Sequence, residues 1–234
     1  MKSSQRPRRF AGPALLPVAL AHVLLFAASL AVGAILRHGS EYANPYGPIE
    51  DVQRFFRANP NALRWSAFLS LGSAVPLGIY TATVASRLRF LGVRAAGTNI
   101  ALFGGFAASV ALAASALCSW VLSVPEVNSS ITTLRLMHFL SFLAGGVAFA
   151  ISFGLLVAGV SVTSLFARLL PRWLIWFGLL IALAGELSSI SLVAYPMTFT
   201  LPLTRFGGFL WLIAVGAELP KAGGTHDRES NALE

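Results

Sequence analysis

The chain has 234 residues, of which 56% are hydrophobic and 11% charged, and its formal net charge is +8. With a mean hydropathy of +0.73, that composition excludes an ordinary soluble domain, and apolar blocks between short polar loops point to one polytopic, all-α membrane domain. Cys118 is the only cysteine, which excludes an intrachain disulfide and a cysteine-rich metal site.

Residues 1–13 read as a basic tail and 14–219 as a six-span domain, followed by a second tail at 220–234. A crossing needs about 20 apolar residues. The first span is predicted at 14–36, too long for a secretory signal core and therefore expected to stay uncleaved. It carries His22. Beyond it, Asn44, Pro45, Gly47 and Pro48 form a turn-like stretch. Ile49, Val52, Phe55 and Phe56 then recur at helical spacing, with Glu50, Asp51, Arg54 and Arg57 between them. That pattern predicts a short amphipathic helix ending near 59–60. It lies on the outer interface, caps the bundle, or offers Phe55 and Phe56 to a partner.

The second span, predicted at 67–86, holds Pro76 near its centre, flanked by Gly72 and Gly78. A proline removes one internal hydrogen bond, so the released carbonyl needs a partner at membrane depth. Ser70, Ser73 and Thr81 are placed to help. The break serves packing or shapes a ligand cavity.

The third and fourth spans are predicted at 99–122 and 137–160. Gly146, Ala150, Gly154 and Ala158 form a small-residue ridge for close helix approach, with a shorter equivalent at Ala107, Ala111 and Ser115. Arg135 and His138 share a helical face. Together with Arg205 and the Glu50–Asp51 pair they are candidates for a polar rim at the outer entrance.

The fifth span, at 173–193, places Glu186 near the middle of an apolar helix. There a carboxyl group must be protonated, paired or exposed to a polar cavity, which makes Glu186 the leading candidate for proton sensing or ligand binding. His138 and His22 are its candidate partners. The sixth span is the shortest, 206–215, with Arg205 just before it and an extension towards 219.

The arginines set the expected orientation. Lys2, Arg6, Arg8, Arg9, Arg87, Arg89, Arg94, Arg168, Arg172 and Lys221 all fall on one side, so both termini are expected in the cytoplasm. No basic cluster sits on a soluble module able to receive nucleic acid. Trp120, Trp173, Trp176 and Trp211 suit interface anchoring or packing. A faint repeat at an offset of 81 residues pairs Arg87–Leu88 with Arg168–Leu169, as in a duplicated helical hairpin.

Three stretches carry a family resemblance: Gly72–Ser73–Ala74–Val75–Pro76–Leu77–Gly78, Gly185–Glu186–Leu187–Ser188 and Leu203–Thr204–Arg205–Phe206–Gly207–Gly208–Phe209. Through their combination the chain resembles an uncharacterised family of small bacterial six-span integral membrane proteins. The resemblance implies a common fold in the bacterial inner membrane and supplies no substrate or mechanism.

Membrane lipids are the expected surroundings, and neither cofactor nor metal is expected. The leading functional expectation is binding or transport-like handling of a small lipophilic or amphipathic ligand. Glu186, His138, Arg135, Arg205, Pro76, Ser73 and His22 are its candidate site residues. A non-catalytic subunit or sensor with a membrane-protein partner is the first alternative. A lipid-modifying enzyme using Glu186 or His138 as acid or base is the second. No recognisable nucleophile–base set decides whether the chain is an enzyme.

Overall fold

The computed structural model describes residues 10–220. Most of the two expected tails, with Lys2, Arg6, Arg8, Arg9, Lys221 and His226, lies outside the described residues. The described chain is all-α: α1 (Leu15–Leu36), α2 (Ile49–Ala58), α3 (Pro60–Phe90), α4 (Ala96–Val121), α5 (Pro125–Ser129), α6 (Ile131–Leu143), α7 (Phe149–Ala167), α8 (Arg172–Leu187) and α9 (Thr200–Glu218). A π turn, Ala144–Ala148, joins α6 to α7, and two 3-10 turns, Ser188–Leu192 and Tyr195–Phe199, separate α8 from α9.

Six helical segments are long and apolar enough to cross a membrane, and α2 is the short helix between the first two. Their outward faces are apolar: Phe103 on α4 and Leu180 on α8 are 67% and 66% exposed in the isolated chain. Such a belt is stable only against lipid.

Helix ends differ from the hydropathy limits for local reasons. The second span runs Pro60–Phe90 rather than 67–86, because Pro60 occupies the first helical turn, where its missing donor costs nothing. The fifth stops being α-helical at Leu187. There Ser188, Ser189 and Ser191 donate their hydroxyls to the carbonyls of Gly185, Glu186 and Ser188 at 2.5, 2.7 and 2.6 Å. These three-residue back-bonds accompany a tightening of the turn to 3-10 geometry. The sixth span begins earlier than 206, at Tyr195, and Thr200 and Thr204 bond back to Met197 and Thr200 at 2.8 and 3.0 Å. Polar residues that satisfy themselves on their own helix lower the hydropathy without ending it.

The spans pack in sequence order and close into a ring: α1 on α3, α3 on α4, α4 on α7, α7 on α8, α8 on α9, and α9 back on α1. Even-numbered crossing brings residues 10–14 and 219–220 to the same end, here called the terminal end; the other is the loop end. The main apolar core includes Leu77, Tyr80, Phe153, Leu156, Trp211 and Leu212.

Two seams explain the tight contacts. A Cβ at Gly104 would stand 2.6 Å from the Ser152 carbonyl oxygen and 2.7 Å from the Leu156 nitrogen, so α4 meets α7 closely at Gly104, while Ser115 of the predicted shorter ridge reaches Ser141 on α6 at 2.8 Å. The predicted ridge does carry a seam at Ala150 and Gly154. A Cβ at Gly185 would lie 2.7 Å from the Ala150 carbonyl oxygen and 3.1 Å from the Gly154 Cα, which identifies α8 as the ridge's partner.

At the loop end, Val52, Phe55 and Phe56 of α2 are buried against Leu63, Leu122 and Leu134. The amphipathic helix therefore caps the bundle, and its aromatic face is not free for a partner. At the terminal end Arg87 is 2% exposed, with a nitrogen 3.4 Å from the Pro13 carbonyl oxygen and its guanidinium 5.2 Å from the Phe10 ring centre. Arg168, its counterpart in the faint repeat, instead takes the left-handed position that ends α7. The two arginines do different work.

Candidate functional site

The polar interior of the bundle gathers at the loop end, around Arg205. Arg205 lies inside α9 rather than before the span, because the sixth span starts earlier than the apolar run. Its guanidinium is held between the rings of Phe26 on α1 and Phe149 on α7, with centroids 4.9 and 4.7 Å away. Two aromatic faces give a cation an attractive, water-poor berth.

One guanidinium nitrogen donates to the Gly145 carbonyl in the π turn. The wide turn makes that carbonyl reachable, because the Phe149 amide donates to Ala144 and Gly146 and passes Gly145 by. π turns recur at functional sites for such reasons.

Arg205 stands in the wall shared by two adjoining chambers. The first, about 240 Å³, is lined by serines from four spans, Ser29, Ser66, Ser70, Ser115, Ser119 and Ser141, with Arg37 and Tyr42. The second, about 400 Å³, is lined by Asn44, Tyr46, Phe142, Tyr195, Leu201 and Phe206. Ser115, Ser141, Gly145 and Arg205 line both. Their volumes fall in the range of small-ligand sites when taken together.

Most of these serines are held by hydrogen bonds. Ser29 donates to Phe26 at 2.7 Å, Ser66 to Ser29 at 3.0 Å and Ser115 to Ser141 at 2.8 Å, while the Ser119 and Ser141 hydroxyls lie 2.7 Å apart. Arg37 donates from Nε to Gly33 at 3.0 Å and sits 5.5 Å from the Tyr42 ring centre. Among the described residues, no carboxylate lines either chamber. Among the described residues the one ion pair is Arg54–Asp51 at 3.0 Å, exposed on α2.

The other predicted site residues are dispersed. Glu186 was expected in the middle of its helix and in the shared interior. It is instead the penultimate residue of α8 and exposed, because the serine-rich 3-10 turn ends the α-helix early. A 16-residue helix rises about 24 Å, which carries position 186 towards the loop end.

His22 and His138 are buried, and neither is hydrogen-bonded to Glu186. The His22 Nδ1 lies 2.9 Å from both the Ser73 carbonyl oxygen and the Ser73 hydroxyl. One tautomer donates to the carbonyl and the other accepts from the hydroxyl. His138 packs edge-on against Phe56, ring centroids 4.9 Å apart.

Pro76 lines neither chamber. Around the break, His22 addresses Ser73, and Ser109 donates to the Ala74 carbonyl at 2.7 Å. Neighbouring helices thus stitch this stretch of α3. Arg135 does not join Arg205 in a rim. It donates to the Gly47 carbonyl at 2.8 Å and ties the loop to α6. Glu50 and Asp51 are exposed on α2. Neither Glu186 nor His138 lines either chamber.

Arg37 and most of the serines were missed as site residues. A signal was present: Ser66 and Ser70, Ser115 and Ser119, and Ser141 and Gly145 each share a helix face at four-residue spacing. Comparison with protein-family models, curated proteins and solved structures found no match; what is established is a six-span, all-α membrane protein.

Proposed function

We propose that the protein binds a small lipophilic or amphipathic ligand in the two chambers around Arg205, and handles it in a transport-like way within the membrane. The observation that carries this reading is an arginine inside a spanning helix, on the wall between two adjoining chambers, with no acidic partner among the described residues. An unpaired cation at membrane depth is costly, and such residues mark ligand or ion sites. The membrane is read as the bacterial inner membrane with both termini cytoplasmic, on the strength of the basic residues predicted on the terminal side, against which Arg37, Arg54, Arg57, Arg64 and Arg135 on the other side are diluted by Glu41, Glu50, Asp51 and Glu126.

The test is to purify the protein from its native membrane and identify retained small molecules by mass spectrometry, beside Arg205→Gln and Glu186→Gln. The expected result is one ligand class at a fixed stoichiometry, reduced about tenfold or more in Arg205→Gln, the scale of one charge-assisted contact. Glu186→Gln, which lines neither chamber, retains it. Equal retention by all three proteins, or none by the native one, would sink the reading.

A further inference from the structure

Resting on that reading, we infer that the ligand is an amphipathic anion: its negative headgroup lies in the serine chamber between Arg37 and Arg205, and its apolar tail occupies the adjoining chamber. The lining chemistry is one-sided. Arg37, Arg205 and six serines line a space that no carboxylate of the described residues lines. Two like charges at one small cavity repel each other, and a single anion between them converts that repulsion into two attractions.

The arginine donors are also under-used. Within the described chain Arg205 donates to the Gly145 carbonyl, and its Nε is buried without a partner. Arg37 spends its Nε on Gly33, leaving the end of its guanidinium for another acceptor. Among the cavity serines, Ser70 makes no hydrogen bond to described residues, whereas Ser29, Ser66 and Ser115 are anchored to carbonyls. Anchored hydroxyls still offer their dipoles, and carboxylate or phosphate oxygens match the fork of an arginine.

The second chamber offers apolar side chains beside Asn44, Tyr46, Tyr195 and Thr198. Phe142, Leu201 and Phe206 line it beyond Arg205, and Phe206 is 49% exposed on a spanning helix. A tail there stays in contact with the hydrocarbon from which it came. The two chambers meet at Arg205, so an amphiphile fits across them with its charge between Arg37 and Arg205 and its tail along Phe142, Leu201 and Phe206.

The experiment uses the full chain in phosphatidylcholine nanodiscs and measures equilibrium binding of radiolabelled laurate, dodecyl phosphate and dodecanol against protein-free discs. Laurate and dodecyl phosphate are expected to bind saturably, at least about tenfold tighter than dodecanol. Arg205→Gln is expected to abolish that preference and Arg37→Gln to weaken it, each checked for a monodisperse folded state. Arg37 lies at the end of α1, so its variant tests the headgroup site even if Arg205→Gln fails to fold.

Dodecanol binding as tightly as the two anions overturns the anionic headgroup while leaving a lipophilic ligand in place. Failure of both anions, in a protein that retains a native neutral molecule, does the same. Failure of all probes together with no retained native molecule overturns the ligand reading itself. Competition separates the sources: displacement by phosphatidylglycerol supports an anionic membrane lipid. Displacement by inorganic phosphate as effective as by dodecyl phosphate shows that a free anion suffices and overturns the role of the tail.

Discussion

The two ends of the bundle use small residues in opposite ways. Towards the terminal end, glycines let backbones and large side chains meet: Gly97 and Gly159 abut across α4 and α7, and Gly178 admits the Trp211 ring, whose Nε1 donates to the Leu174 carbonyl at 3.2 Å. Leu156, Val157 and Val160 are fully buried there. Towards the loop end, six serines join the glycines and alanines that line the interior space. Each hydroxyl bonded to a helix carbonyl keeps polar surface in the interior while leaving volume unfilled. Glycine at a helix contact closes space and serine holds it open, although both read as small in a packing pattern.

That contrast can be broken most sharply by accessibility. In a Cys118→Ala background, Ser66→Cys is expected to react with a membrane-impermeant maleimide and Leu156→Cys to remain unlabelled. Equal labelling of both would erase the distinction between a polar cavity and a dry core. The next largest effect is steric. Gly104→Leu drives a side chain into the Ser152 and Leu156 backbone, and detergent unfolding should show a loss of about 2–3 kcal/mol, the scale of core overpacking. A change within error would mean that the α4–α7 seam yields without cost.

The smallest effect belongs to the cavity wall. Ser141→Ala removes a hydroxyl that meets Ser119 and donates to the Ser115 carbonyl at 3.2 Å. The remaining polar groups face a chamber, where water substitutes for the lost partner. Stability should fall by less than about 1 kcal/mol. A loss comparable to Gly104→Leu would show that the serines are core glue rather than lining.

Arg205 illustrates why a residue can be found and yet misplaced by sequence. Thr200, Pro202 and Thr204 depress the local hydropathy, so the apolar run starts after Arg205. The helix nonetheless begins at Thr200, since its threonines satisfy their hydroxyls on its own backbone. Glu186 shows the converse. An uninterrupted hydropathy block implied a central acid, but the following serines tighten the chain and leave the carboxyl group exposed near a helix end. The cap at Phe55 and Phe56 was legible because amphipathic spacing depends on one helix alone.

Taken by itself, the order of residues determined the number of crossings, the short helix after the first, and the small-residue ridge on the fourth. Each follows from length, hydropathy or period along one segment. The three-dimensional arrangement alone decided that α9 returns to α1, that Arg205 lies between Phe26 and Phe149, and that serines from separate spans surround one space. Those outcomes depend on which faces meet, and in lipid that choice is made by packing and hydrogen bonding between helices, not by any pattern within a single one.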